Sequence, residues 1–212
     1  WTRLYLDPEE EDGLGGVGAD PVPVRWEIAV DEAFQQIVDG GIVATRADLA
    51  HSVHIDAGGL EPDSWYHYRF QVGDWISPIG RTRTAPCPGA RVESLRIAAT
   101  TCQRYEHGFF TALSRIPADQ PDLIFQLGDY IYEYGYSEGI RTQPDPAISD
   151  LAGYRRRYAL YKQDLNLQAA HATCPWEVIW DDHEVKNDYH GEDASEEILA
   201  LMEAAYQAYY EN

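Results

Sequence analysis

Cysteine is scarce in this 212-residue chain. Cys87, Cys102 and Cys174 are too few for a disulfide scaffold, and their odd number leaves at least one thiol without an intramolecular partner. Positive charge is scarce as well: 16 basic against 36 acidic residues give a net charge of −20. That balance repels nucleic acid and anionic membranes, so no nucleic-acid-binding module is expected and an anionic substrate has to be held by local positive charge. There is no apolar run of about 18 residues, so no transmembrane segment is predicted. No basic stretch followed by an apolar one opens the chain as a signal peptide would. A Gly-rich phosphate loop and a GxSxG elbow are both missing, which leaves nucleophilic serine chemistry without support.

What is present suits a globular protein. A hydrophobic fraction of 44%, with 12% aromatics, is enough to bury a core in one large or two small domains. The chain begins without Met on what reads as half a strand, "WTRLYL", and stops inside a helical pattern, "AAYQAYYEN". It reads as a fragment of a longer protein.

The first part carries β signals. In "VRWEIAV", Val24, Trp26, Ile28 and Val30 alternate with other residues and share one sheet face. "HSVHID" and "WYHYRFQV" repeat the period, the latter with Tyr66, Tyr68, Phe70 and Val72 on one side. Turns are expected at Gly13 to Gly18, Gly40-Gly41, Gly58-Gly59, Pro62-Asp63 and Gly73-Asp74, as in a small antiparallel sandwich. The Pro- and Gly-rich "TAPCPGARVES" marks a boundary, giving an N-terminal β domain over 1–86, a linker over 87–93 and a second domain over 94–212.

In the second domain, three apolar runs, "LRIAATTC", "DLIFQLGDY" and "WEVIW", alternate with helical segments, the signature of an α/β layer on a largely parallel sheet. Helices are predicted from about Gly108 to Ile116, over "SDLAGYRRRYALYKQD" with Ser149 or Asp150 as cap, and over "LNLQAAHA". Asp193 followed by Glu196 predicts a capped last helix with Ile198, Met202, Ala205, Tyr206 and Tyr209 on one face. Ligands gather at the carboxyl ends of such strands. These ends carry Thr101-Cys102-Gln103, Gly128-Asp129-Tyr130 and Asp181-Asp182-His183-Glu184.

Asp129 ends an apolar strand, where a carboxylate can bridge two hard cations; alone it reads rather as the start of a turn. Tyr132 follows three residues later, in reach of the same ion. Its phenolate suits a trivalent iron, whose charge offsets the cost of ionising a group with a pKa of about 10, although core packing also explains a tyrosine there. Cys102 is a thiolate candidate that favours a transition metal, or a structural thiol. Cys87 and Cys174 receive no role. In "WDDHEVKND", Asp181, Asp182, Asn187 and Asp188 are oxygen donors and His183 can ligate or move a proton. The preceding strand and Trp180 place this segment partly inside, where unpaired carboxylates are costly. His183-Glu184-Val185-Lys186-Asn187 departs from HExxH at its second histidine, which weakens a zinc-peptidase reading. Arg104, Arg141 and Arg155-Arg156-Arg157 are candidate phosphate clamps, but surface ion pairs are the expectation for an acidic chain, because consecutive helical residues point apart.

Together, "TCQRYEHGFFTA", "LGDYIYEYG", "YRRRYALYKQD", "LQAAHATCPW" and "WDDHEVKNDY" resemble the alkaline phosphatase D type of metallophosphoesterase, in the calcineurin-like superfamily. The opening half, through "PVPVRWEIA", "WYHYRF" and "GRTRTAP", is similar to that family's fibronectin-like N-terminal domain. The resemblance implies a fibronectin-like β-sandwich followed by an incomplete α/β metallophosphatase domain. It implies hydrolysis of phosphomonoesters and phosphodiesters by a metal-activated hydroxide, Fe3+ and Ca2+ as cofactors, and secretion through the twin-arginine export machinery. By the same match Cys102, Asp129 and Tyr132 correspond to ferric ligands and Asp129 also reaches calcium. Asp181 or Asp182, with Asn187, corresponds to second-metal ligands, and His183 is the nearest proton donor. A phospholipase D-like specificity and a non-catalytic binding fragment are the alternatives, since the family's remaining ligands fall beyond Asn212.

Overall fold

In the computed structural model, residues 1–143, 147–190 and 195–212 are described. The alternation in "VRWEIAV" becomes strand β2 (Pro23–Ala29), placed between β3 (Ile37–Ala44) and β5 (Trp65–Val72) in an antiparallel sheet. Short strands β6 (Trp75–Ile76) and β7 (Gly80–Arg83) both pair with β5. A separate two-stranded sheet joins β1 (Thr2–Arg3) to β4 (Ser52–Val53), so only two residues of "HSVHID" form a strand. Val24, Val53 and Phe70 are buried together, with Trp26, Tyr68 and Val72 packed on them.

Two expectations fail here for local reasons. Gly40-Gly41 is no turn: it lies inside β3, opposite Glu27 and Trp26. A Cβ on Gly40 would stand 2.9 Å from the Trp26 carbonyl oxygen and one on Gly41 3.0 Å from the Trp26 indole nitrogen, so the strand needs glycine where its neighbour's backbone and ring come close. The face of β2 is also interrupted. A register shift at Ile28/Ala29 buries Ala29 beside Ile28 and turns Val30 out to solvent.

After residue 96 the sheet type changes. Strands β8 (Ile97–Thr100), β9 (Leu123–Leu127) and β10 (Trp176–Ile179) pair in parallel in the order β10-β9-β8. The helix expected near 108–116 is a 3-10 segment, Thr111–Arg115, running into a single turn α1 (Ile116–Asp119) with Pro117 in its first turn. Asp150 caps α2 (Leu151–Lys162) by accepting the Gly153 N–H, and Asp164 caps α3 (Leu165–His171). The last helix, α4 (Glu196–Glu211), is capped by Ser195; Asp193 lies outside the described residues. Along α4, Ala205, Ala208 and Glu211 are buried, Met202 and Tyr209 half-buried, and Tyr206 exposed.

Tyr154, Tyr158 and Tyr161 recur at helical spacing on α2 and pack with Ile124, Ile131 and Leu167 in the main core. The strands are less enclosed than their apolar runs predict. Ile124 and Gln126 of β9 are buried, whereas Ile97, Leu127 and Ile179, on the opposite face, are exposed. The arginines also depart from the surface expectation. Arg155 forms a buried pair with Glu211, Arg141 pairs with Asp164 at 2.7 Å, and buried Arg157 donates to the Tyr132 carbonyl. Arg156, the half-buried member of the triplet, donates to the Glu11 carbonyl.

Candidate metal centre

The parallel register of β8, β9 and β10 brings their carboxyl ends together, and hydrogen bonds then lock the loops that follow. Cys102 N–H donates to the Gly128 carbonyl at 3.2 Å and Gln103 N–H to the Asp129 carbonyl at 3.2 Å, joining the loops after β8 and β9. Glu184, 1% exposed, joins the loops after β9 and β10: its carboxylate accepts the N–H groups of Asp129 at 3.1 Å, Asp181 at 2.7 Å and Tyr130. Burial is the main influence on this carboxyl and raises its pKa, opposed by the three N–H donors. Gln126 supports the same corner from below, bonding both the N–H and the carbonyl of Gly128 at 2.9 Å.

Asp129, Asp182 and His183 converge here, with one donor atom from each lying within 4.8 Å of the others. Asp129 is buried, and its two oxygens differ. Oδ2 accepts the Tyr132 hydroxyl at 3.0 Å, while Oδ1 is buried with no hydrogen-bond partner among the described residues. A buried carboxylate oxygen left bare is costly unless a cation meets it, and carboxylate and imidazole donors together suit a divalent or trivalent ion. His183 Nδ1 lies 2.8 Å from Glu133 Oε2, which leaves Nε2 as the open ring atom, the arrangement by which a carboxylate orients a metal-site histidine. Its ring packs 4.1 Å from that of Tyr132.

The other predicted residues stand around this group. Tyr132 is buried, and burial, followed by the hydrogen bond to Asp129, pushes its pKa far above the ordinary phenol value, with Cys102 adding to the shift. Without a cation it is therefore a hydroxyl donor to Asp129. Cys102 is exposed, and its Sγ lies 3.4 Å from Thr101 Oγ1. Asn187 is exposed and donates to Asp188 Oδ2 at 2.7 Å. Asp181 is exposed and accepts the Asp182 N–H at 3.0 Å, and among the described acidic, histidine and cysteine side chains it does not join the convergent group. The segment is partly inside as expected, with His183 and Glu184 buried, although Trp180 beside it is 51% exposed. Cys102, Asp129 and Asp188 all adopt left-handed backbone, with φ of +52°, +56° and +54°. Such conformations cost on the order of 1 kcal/mol each, and several lie together at this centre.

Glu133 and Glu184 were not singled out in the sequence as site residues. A signal existed: Glu133 stands between Tyr132 and Tyr134 in an aromatic run, and an acid so placed needs a partner. Arg104 also has a role different from that of a surface ion pair. It is buried, lies 3.5 Å from Glu106, and its guanidinium carbon sits 4.6 Å from each of the Tyr132, Tyr134 and Tyr136 ring centres.

Comparison with known proteins gives a consistent result. Residues 97–212 match the family model described as PhoD-like phosphatase, and residues 1–86 match that of the PhoD-like phosphatase N-terminal domain. Alkaline phosphatase D of Bacillus subtilis (strain 168) is 47% identical over an alignment of 223 residues that covers all of this chain and 38% of that protein. A solved structure titled "Structure of PhoD" superposes with a TM-score of 0.95 at 48% identity, covering 100% of this chain and 42% of its own. The chain thus spans less than half the length of these relatives. On this evidence, the chain belongs to the PhoD-like phosphatase family.

Proposed function

We propose that this chain carries the N-terminal share of a metal-dependent phosphoesterase that hydrolyses phosphomonoesters and phosphodiesters. The observation that carries this reading is Asp129: a buried carboxylate with one bare oxygen, facing Asp182 and His183 where three parallel strands end. In this reading residues 1–86 form a fibronectin-like domain, 87–93 a linker, and 94–212 the first part of the phosphoesterase domain. The change from an antiparallel to a parallel sheet supports that division. In this reading the protein is exported by the twin-arginine route and works outside the cytoplasm.

Asp129 is assigned to both cations, Fe3+ and Ca2+. Cys102 and Tyr132 are assigned to iron, and Asp182 with Asn187 to calcium. Asp182 is preferred to Asp181 because its carboxylate lies with the Asp129 carboxylate and the His183 imidazole. When bound, such ions supply Lewis-acid activation of water and neutralise the charge of the phosphate. The chain's own residues do the rest. Glu133 fixes the orientation of His183, whose open Nε2 can hand a proton to a leaving alkoxide. Glu184 keeps the loops bearing Asp129 and Asp182 at a constant separation. Arg104 and Arg157 bring positive charge to the Tyr132 segment, an electrostatic counterweight in a chain of net charge −20.

The test is turnover of p-nitrophenyl phosphate and bis-p-nitrophenyl phosphate by the full protein, before and after chelation. Activity that disappears on chelation and returns with iron and calcium is expected. Absence of turnover with both metals supplied overturns the proposal.

A further inference from the structure

A cavity of about 550 Å³ lies where the antiparallel sheet meets helices α2 and α3. None of Cys102, Asp129, Asp182 and His183 lines it, so it is separate from the candidate metal centre. Its walls are largely apolar, with Tyr68, Phe70, Leu167 and Trp176 among them. Three cations also line it, Arg3, Arg81 and Lys162, and among the described residues no aspartate or glutamate does. In a chain of net charge −20 this is a local reversal of sign.

Among the described residues, none of these cations has a carboxylate within ion-pair distance. Lys162 Nζ donates to the Tyr130 hydroxyl at 3.3 Å and lies 4.4 Å from the Trp1 ring centre and 5.0 Å from that of Tyr130. The Arg81 guanidinium stacks on Trp65 at 3.6 Å. Arg3 donates to the carbonyl oxygens of Gly13, Ala50 and Arg155 and to the Asn212 side chain. His171 completes the polar end, with Nε2 2.8 Å from the Tyr130 hydroxyl and its ring stacked on Trp176 at 4.0 Å. Lys162 is half-buried, and an ammonium partly withdrawn from water without a counter-ion is costly. Burial, followed by the nearby Arg3 charge, pulls Lys162 down to about 7, and burial drives His171 well below the ordinary imidazole range. A negative charge brought into this space relieves that cost, while the walls offer apolar surface to whatever carries it.

We propose that this cavity binds a small amphipathic anion, an aromatic or aliphatic body with a single anionic head, the head meeting Lys162 and the body lying against Phe70 and Trp176. The probe is 1-naphthoate, titrated calorimetrically into the full metal-loaded protein, with 1-naphthylmethanol as its neutral counterpart. Saturable binding of the carboxylate is expected, weakened about 10- to 100-fold by Lys162→Met, as befits loss of one charge-assisted hydrogen bond. Lys162→Arg should restore it, and neither change should alter binding of the alcohol. Arg81→Met provides a second arm that does not depend on the folding of the Lys162 variants, and a weakening of at least about threefold is expected there. Carboxylate binding that is absent in the parent protein, or equal in parent, Lys162→Met and Arg81→Met, overturns the proposal.

Discussion

The Glu184 carboxylate accepts the backbone N–H of Asp129 at 3.1 Å, and the same oxygen accepts that of Asp181 at 2.7 Å. One buried side chain thereby holds the ends of β9 and β10 at a set distance, and with them the two aspartates assigned to metal. Replacement by glutamine keeps the volume but leaves one acceptor oxygen and turns an NH2 group towards backbone donors. Glu184→Gln is therefore expected to lose about 1–3 kcal/mol for each N–H left without an acceptor. Urea denaturation measures this, and a variant as stable as the parent contradicts the tie.

Gly128→Ala should be worse than an ordinary loop substitution. Gly128 has φ of +94°, and a Cβ there would meet the Asp181 Cβ at 2.5 Å and its backbone nitrogen at 3.0 Å. Relief requires the β10 loop to move away from β9. A loss of more than about 2 kcal/mol is expected, together with weakened metal retention, read by thermal unfolding and elemental analysis. Full stability with full metal content would show that the two loops are free to separate.

Glu133→Gln tests the orientation of His183. The 2.8 Å contact becomes one that an amide can satisfy in only one of the two ring states, so turnover of p-nitrophenyl phosphate by the full protein should fall by about 10- to 100-fold. The overall fold should persist, since the amide can still accept the Asn187 N–H now bonded to Glu133. Unchanged turnover would remove Glu133 from the proposed machinery.

What the sequence made legible was periodic or positional. The alternation in "WYHYRFQV", the three apolar runs, two of them ending in acids, and the Asp150 cap all reappear, because each depends on residues a few positions apart. What it hid depends on contacts made over long separations. Gly40-Gly41 looks like a turn until Trp26 is laid across it. Arg155 looks like a surface charge until Glu211, 56 residues away, is buried against it. Glu133 and Glu184 have ordinary local contexts, and their partners lie 50 to 55 residues away, supplied only when the strands align.

Lys162 gives a pH dependence of defined sign. Its folded value of about 7 lies below the ordinary 10.5, so between these limits the unfolded chain holds a proton that the native state has released. Stability contributed by this group therefore rises with pH across that window, by at most about 1.4 kcal/mol per unit, and below it the native state bears the whole cost of a half-buried ammonium. Relative to Lys162→Met, the parent protein should gain stability from about pH 7 to about pH 10. A constant difference between the two denaturation curves would contradict the burial assigned to this side chain.

In the proposed site a cation is held at the bare oxygen of Asp129. Elemental analysis of purified full-length protein and of its Asp129→Asn variant tests it most directly, with phosphatase turnover measured on the same samples. Bound metal and turnover are expected in the parent, and loss of both in a variant that still folds. An Asp129→Asn protein that keeps its full metal complement would contradict it.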